Sequence, residues 1–233
     1  MTNTSADADV TVGSTSIAGL TAGELDEFTT RLPQHERDRA AQLRTDAQRR
    51  SFVVGRLLLR SIVASAGNAA PDDVTIDVES AGRPVVVGAL CRFFVSIAHS
   101  GDYVVAAVAQ RAVGVDVEQL PSSPRHPGLV ARVCSPDELR HLELMTGTER
   151  ERAFMAIWAR KEAYGKARGV GLDFELRSIT ACGSHIADAD GEWQVSDLDI
   201  DARYAAAVVA HGVGWRLQVD LAEYNTLVRP NRG

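Results

Sequence analysis

The sequence predicts an α+β fold of two pseudo-duplicated lobes, each a helix packed on a mainly antiparallel sheet, with a ligand site between them. Three observations lead there. A chain of 233 residues, 45% of them hydrophobic, has room for one large core or two small ones. Helix-period segments and short β-branched runs both occur in each half of the chain. Finally, "DYVVAAVA" beginning at Asp102 resembles "RYAAAVVA" beginning at Arg203, and an internal duplication is the economical reading. The expected division is a flexible leader over residues 1–15, an N-terminal lobe over 16–111 and a C-terminal lobe over 112–233.

The elements follow in order. Thr21-x-x-Glu24 has the spacing of a capping box, and Pro33 ahead of a charged run starts a second short helix. A longer helix is expected from Asp46 to Ala66, burying Phe52, Val53, Leu57, Leu59 and Val63 and stopping at Gly67-Asn68. Strands are expected over Val74–Val78, Phe93–Ile97, Tyr103–Ala109 and Ala112–Glu118, with turns at Gly82-Arg83-Pro84 and at "HSGD". Residues 119–135 hold three prolines and read as a loop of functional length or an ordered insertion. Helices over Pro136–Met145 and Glu149–Arg168 come next, and four strands finish the chain: Glu175–Ala181, Glu192–Val195, Arg203–Ala210 and Gly214–Asp220.

Composition excludes several classes. The first residues carry neither a basic nor an apolar signal region, and no run approaches the roughly 18 apolar residues of a membrane span, so the expectation is a cytoplasmic protein with no membrane partner. A net charge of −6 and the lack of an aromatic-interleaved basic stripe argue against nucleic acid. Cys91, Cys134 and Cys182 are far apart and in no CxxC pair, which suggests neither disulfides nor zinc.

The chemistry gathers in two short stretches. In "VGVDVE" the alternation puts Val113, Val115 and Val117 on one face of a strand and Gly114, Asp116 and Glu118 on the other, with the two acids about 7 Å apart. Alone, such a pair is commonly solvent-facing. In "WARKEAYGK" the residues Phe154, Ile157 and Trp158 mark a buried stripe, and Glu162 lies at its edge, where an ion pair with Lys166 is the ordinary reading. Were the three acids to meet, each like-charge pair at ~5 Å would cost roughly 3 kcal/mol at an effective dielectric near 20, so they would need a cation. All-oxygen ligation suits Mg²⁺, which completes its shell with water and phosphate oxygens. His99 ends an apolar alternation as either a core histidine or an anion ligand, Arg83 sits in a turn, and Arg49 and Arg50 head a helix, where their charge does not suit the dipole.

Taken together, "GRP", "IAHSGDY", "VGVDVE" and "WARKEAYGK", in this order and spacing, closely resemble the double-length, surfactin-synthetase-activator type of 4′-phosphopantetheinyl transferase, over residues 31–210. The resemblance implies transfer of the phosphopantetheine arm of coenzyme A to a serine of an apo acyl or peptidyl carrier protein, with release of adenosine 3′,5′-bisphosphate. It implies Asp116, Glu118 and Glu162 as Mg²⁺ ligands and Glu162 as the base, acting directly or through water. Lys161 and Lys166 would neutralise the diphosphate, with Lys166 steadying the leaving phosphate. The 3′-phosphoadenosine end would fall to Arg83 with Pro84, His99 and Ser100, helped by Arg50 or Arg44. One departure is Ala98, where the family usually carries Ser or Thr. The competing readings are a Mg²⁺-dependent phosphodiester or diphosphate hydrolase and a non-catalytic coenzyme A-binding module. Because single-length relatives build their site between subunits and this chain carries both lobes, a monomer is expected. Carrier docking is expected on the 119–135 loop through Leu129, Val130 and Val133.

Overall fold

The structure is a computed structural model that describes residues 9–79, 82–121, 127–170 and 175–221. Its first half runs β1 (Val10–Ser16), α1 (Ala22–Thr30), α2 (Gln34–Ala41), α3 (Asp46–Gly67), β2 (Thr75–Val78), β3 (Pro84–Val87), β4 (Phe94–Ser100) and β5 (Tyr103–Ala109). The second half runs β6 (Val113–Gln119), α4 (Pro127–Val133), α5 (Pro136–Glu143), α6 (Gly147–Arg168), β7 (His185–Asp188), β8 (Gly191–Asp197), β9 (Tyr204–His211) and β10 (Leu217–Leu221). Two four-stranded sheets, ordered β10-β1-β5-β4 and β6-β9-β8-β7, and a β2-β3 hairpin carry all of these strands.

The layers follow from which face of each strand is apolar. In β5, Val104, Ala106 and Val108 pack on α3, while Val105, Ala107 and Ala109 turn to the other side and meet Val113, Val115 and Val117 of β6. The two sheets therefore pack through their inner faces, with α3 outside one and α6 outside the other. The valine back of "VGVDVE" thus forms the core between the halves, as its alternation predicts.

Helix α3 starts on a capping box, in which Thr45 and Gln48 each accept the other's backbone N–H, at 3.2 Å and 3.3 Å. It stops at Asn68, whose φ of 52° closes the helix in the left-handed region. The helix is buried beyond the expected stripe, at Val54, Leu58 and Ile62 too, because Leu58 and Ile62 lie over Gly13 of β1 while α1 and α2 cover another flank. Glu36 of α2 reaches across to Arg60 at 2.8 Å and Arg56 at 3.5 Å, an ionic trio inside that contact.

Three sequence expectations need correction. The leader is ordered from Val10 on: β1 lies between β5 and β10, with Val10 and Val12 fully buried. Residues 1–8 of that leader lie outside the described residues, as do 122–126 of the expected loop. Strand β10 pairs in parallel with β1, so the end of the chain returns to the N-terminal sheet instead of staying with the C-terminal lobe. Over 175–181 there is no strand but a 3₁₀ turn at Leu176–Ser178, since the Leu176 and Ile179 carbonyls accept from the Lys161 ammonium. Strands β3 and β7 were not expected. No helix among the described residues is long and apolar enough to cross a membrane.

The halves are joined along two edge strands. Strand β6 ends one sheet and β4 the other, and serine hydroxyls of β4 take the outward amides of β6: Val115 N–H donates to Ser96 at 3.1 Å and Gln119 N–H to Ser100 at 3.0 Å. The duplicated tyrosines meet there too, Tyr103 and Tyr204 edge-on with centroids 4.8 Å apart. The Asp102 N–H donates to the Tyr204 hydroxyl at 3.0 Å, and the Tyr103 hydroxyl donates to Asp201 at 3.5 Å.

On its other face β6 touches α6 almost backbone to backbone. A Cβ at Gly114 would lie 2.0 Å from the Ala163 carbonyl oxygen and 2.5 Å from the Ala167 nitrogen. Gly114→Ala must therefore push strand and helix apart, and is expected to cost about 3 kcal/mol in urea denaturation. An unchanged midpoint would show that the contact has slack.

Candidate active site

The approach at Gly114 brings the polar face of β6 under α6. Asp116 is 5% exposed, and its Oδ1 accepts from Lys166 Nζ at 2.6 Å. Lys166 also donates to the Val115 carbonyl at 3.2 Å. The second oxygen of Asp116, Oδ2, is buried with no hydrogen-bond partner among the described residues. Burial pushes the Asp116 carboxyl up to about 6 against the pull of Lys166, with Glu118 adding a smaller push. Glu118 is held from two sides: the Trp158 indole donates to Oε1 at 3.1 Å, and the Ser100 hydroxyl to Oε2 at 3.3 Å. Glu162 is half-buried and is pushed up to about 7, by loss of water first and then by the charge of Asp116, with Lys166 opposing and Glu118 adding.

Asp116, Glu118 and Glu162 thus share one electrostatic field. They do not form a closed cage, since among the described residues no group of three His, Cys, Asp or Glu is arranged as a ready-made metal site. What fits a hard dication is the donor set itself: carboxylate oxygens only, two of the acids held well above their ordinary range, and one buried oxygen unsatisfied.

The other predicted residues divide. His99 is exposed at the end of β4, not in the core, and partial loss of water and the nearby Lys166 charge both hold its pKa below the usual histidine value. Ser100 is committed to the seam between the halves. Arg83 lies against the end of α6, since a Cβ on Gly169, the left-handed cap of that helix, would come within 2.6 Å of its Nη1. Pro84 is buried as the first residue of β3, opposite Val78. Arg50 donates to the Leu20 carbonyl, Arg49 pairs with Asp26 at 2.8 Å, and Arg44 is exposed. No hydrogen bond or ion pair among the described residues joins these three arginines to the acids.

Two expectations fail. Lys161 does not face a phosphate: it is fully buried, and its ammonium is spent on Glu138 and the carbonyls of Val133, Leu176 and Ile179. Val130 and Val133 are not a docking surface, being 4% and 2% exposed in a core with Leu142, Phe154 and Ile157, while Leu129 is half-buried against the same cluster. Their helical spacing in α4 turns both toward α6. Glu138 went unnoticed in the sequence, although Ser135-x-x-Glu138 is a capping box and the structure shows it as one. Trp158, read only as core, is also a hydrogen-bond donor to the site.

Comparison with known proteins identifies the family. Residues 112–216 match the family model described as the 4′-phosphopantetheinyl transferase superfamily, and residues 21–111 match the one described as 4′-phosphopantetheinyl transferase, N-terminal. The 4′-phosphopantetheinyl transferase psf-1 of Bacillus pumilus is 30% identical over 166 residues, covering 68% of this chain and 70% of the relative. The chain belongs to the 4′-phosphopantetheinyl transferase superfamily. It is also similar to the 4′-phosphopantetheinyl transferase HetI of a Nostoc species, 28% identical over 83% of this chain and 84% of the relative. The 4′-phosphopantetheinyl transferase Sfp of Bacillus subtilis is more distant in sequence, at 21% identity, and is matched over 90% of this chain and 95% of its own. Such full-length matches make the chain an enzyme of this transferase class, of the double-length type.

The raised carboxyls have a consequence for stability. A folded pKa above the unfolded value of 3.8 for Asp116 or 4.5 for Glu162 gives stability that is complete below pH 4 and lost as pH rises through about 6 and 7. Glu162→Gln carries no charge at any pH. In chelator-treated protein it is expected to unfold at a higher temperature than the parent at pH 8 and at nearly the same temperature at pH 4, by scanning calorimetry. A lower midpoint at pH 8 would refute the raised pKa.

Proposed function

We propose that this chain transfers the 4′-phosphopantetheine arm of coenzyme A to a serine of an apo acyl or peptidyl carrier protein, with Mg²⁺, and releases adenosine 3′,5′-bisphosphate. The observation that carries this reading is the charge group of Asp116, Glu118, Glu162 and Lys166, with a buried Asp116 oxygen that has no hydrogen-bond partner among the described residues. The serine hydroxyl attacks the phosphorus bearing the pantetheine arm, the bridging bond of the diphosphate breaks, and the electron pair leaves on the adenosine phosphate. Glu162 would accept the serine proton, directly or through water. Lys166, already turned toward the acids, sits where it can meet the charge gathering on the leaving phosphate. The 3′-phosphoadenosine group would fall to His99, Ser100, Arg83 and Pro84, with Arg44 or Arg50 assisting. A Mg²⁺ ion held by Asp116, Glu118 and Glu162 would compensate the diphosphate charge and fix the line of attack. Both lobes come from one chain, so the active form is a monomer, which sedimentation can test.

Mass gain of an apo-carrier panel incubated with coenzyme A and Mg²⁺ tests the reading, with adenosine bisphosphate appearing only when a carrier is present. Asp116→Ala is expected to slow transfer at least ~10²-fold, about 2.7 kcal/mol of transition-state stabilisation, and to recover partly in excess Mg²⁺. Glu162→Gln should lower kcat more than coenzyme A affinity and gain little from added metal. Near-normal transfer by both variants would reject the site.

A further inference from the structure

Beneath α6, on the side away from β6, the Lys161 ammonium donates to Glu138 Oε2 at 2.5 Å and to the carbonyls of Val133 at 2.8 Å, Leu176 at 2.7 Å and Ile179 at 3.0 Å. Glu138 completes the hub. Its Oε2 also accepts the Ser135 N–H at 2.7 Å, and its Oε1 accepts the Ala181 N–H at 2.6 Å. The two side chains are 1% and 0% exposed. One ammonium thus ties α6 to the end of α4, the start of α5 and the 3₁₀ turn.

Stability is a poor reason for such a pair, because well-packed apolar residues of similar volume often serve as well or better. A hydrogen-bonded pair does supply direction. Against β6 the helix offers the small residues Ala163 and Ala167 over Gly114, Tyr164 anchors it to Trp193 of β8 and Asp188 of β7, and the Glu138–Lys161 hub anchors it to α4 and α5. Glu162 follows Lys161 directly, about 100° around the helix, so holding the one aims the other. Trp158, one turn earlier, reaches Glu118 from the same helix.

We propose that the Glu138–Lys161 pair is a positioning device that sets the rotation of α6, so that Glu162 and Trp158 face the acids of β6. This rests on the transferase reading above. Neither residue touches substrate, and a rotation of a few degrees would displace the Glu162 carboxylate from its working position.

The test compares wild type, the double variant Glu138→Leu/Lys161→Met, Glu138→Gln, and Val63→Ala as a destabilised control in the distant core under the N-terminal sheet. The double variant is expected to unfold cooperatively, to keep both KM values within about threefold, and to lose kcat on the order of 10²-fold. Its Trp158 indole N–H resonance should move. Glu138→Gln, which keeps acceptors for Ala181 and Lys161, should fall between it and wild type. Val63→Ala should change neither kcat nor the resonance. Wild-type kcat in the folded double variant, or an unmoved Trp158 resonance, overturns the proposal, as does an equal kcat loss in Val63→Ala. Should the double variant not fold, Glu138→Gln decides by the same two readouts, and failure of both to fold marks the pair as merely structural. If wild type itself transfers nothing, the transferase reading falls, and the Trp158 resonance still judges the positioning claim.

Discussion

The contact at Gly114 is the constraint on which the rest depends. A strand and a helix approach so closely there that no side chain fits between them, with an added Cβ only 2.0 Å from the Ala163 carbonyl. Water is excluded along with the side chain, and the next polar residue of the strand, Asp116, lands in that dry margin with Lys166 beside it. In water a carboxylate and an ammonium in contact would gain little from each other. At low local dielectric the same two charges interact strongly, and an oxygen left unpaired is costly. The unsatisfied Asp116 Oδ2 is thus a direct result of how tightly β6 and α6 pack.

Excluding water from one side is not enough to make a site, and the N-terminal half supplies the other side. Ser96 and Ser100 of β4 take backbone amides of β6 that would otherwise face outward from a sheet edge, and Ser100 also donates to Glu118. Each half therefore finishes the other's edge, and β10, returning to pair with β1, fastens the end of the described chain to the opposite half. The seam that satisfies the backbone also fixes Glu118 between a serine of one half and a tryptophan of the other. Structure and site draw on the same hydrogen bonds.

The fold was largely legible because most of its elements carry strong local signals. The alternation of "VGVDVE" named both faces of β6 correctly, the capping residues placed α1 and α3, and the repeated tyrosine strands do meet across the halves. Where reading failed, a tertiary contact decided. Strand β1 looked like a polar leader because its serines and threonines carry no hydrophobic run, yet Ser14 and Thr15 are 1% exposed. Lys161 and Lys166 could not be told apart as phosphate ligands from spacing, since the distinction rests on Glu138, which is distant in sequence and was not weighed. Val130 and Val133 looked available because no helix was expected over 119–135, whereas α4 turns them onto α5 and α6.

Those two lysines show how one helix can serve the core and the site at once. Five positions apart, they leave α6 about 140° from each other, so one can be sealed inside while the other remains partly open beside Asp116. Exchanging their surroundings exchanges their chemistry. Lys161, with every hydrogen spoken for, has no freedom to answer a charge that appears during a reaction. Lys166, 30% exposed and bound to one carboxylate and one carbonyl, keeps donor capacity and can turn. The carboxylates divide by the same rule. Glu138 accepts on both oxygens and is inert, whereas Asp116 keeps a buried oxygen with no partner among the described residues and both Asp116 and Glu162 are held above their ordinary range, an arrangement that weakens the free protein at neutral pH.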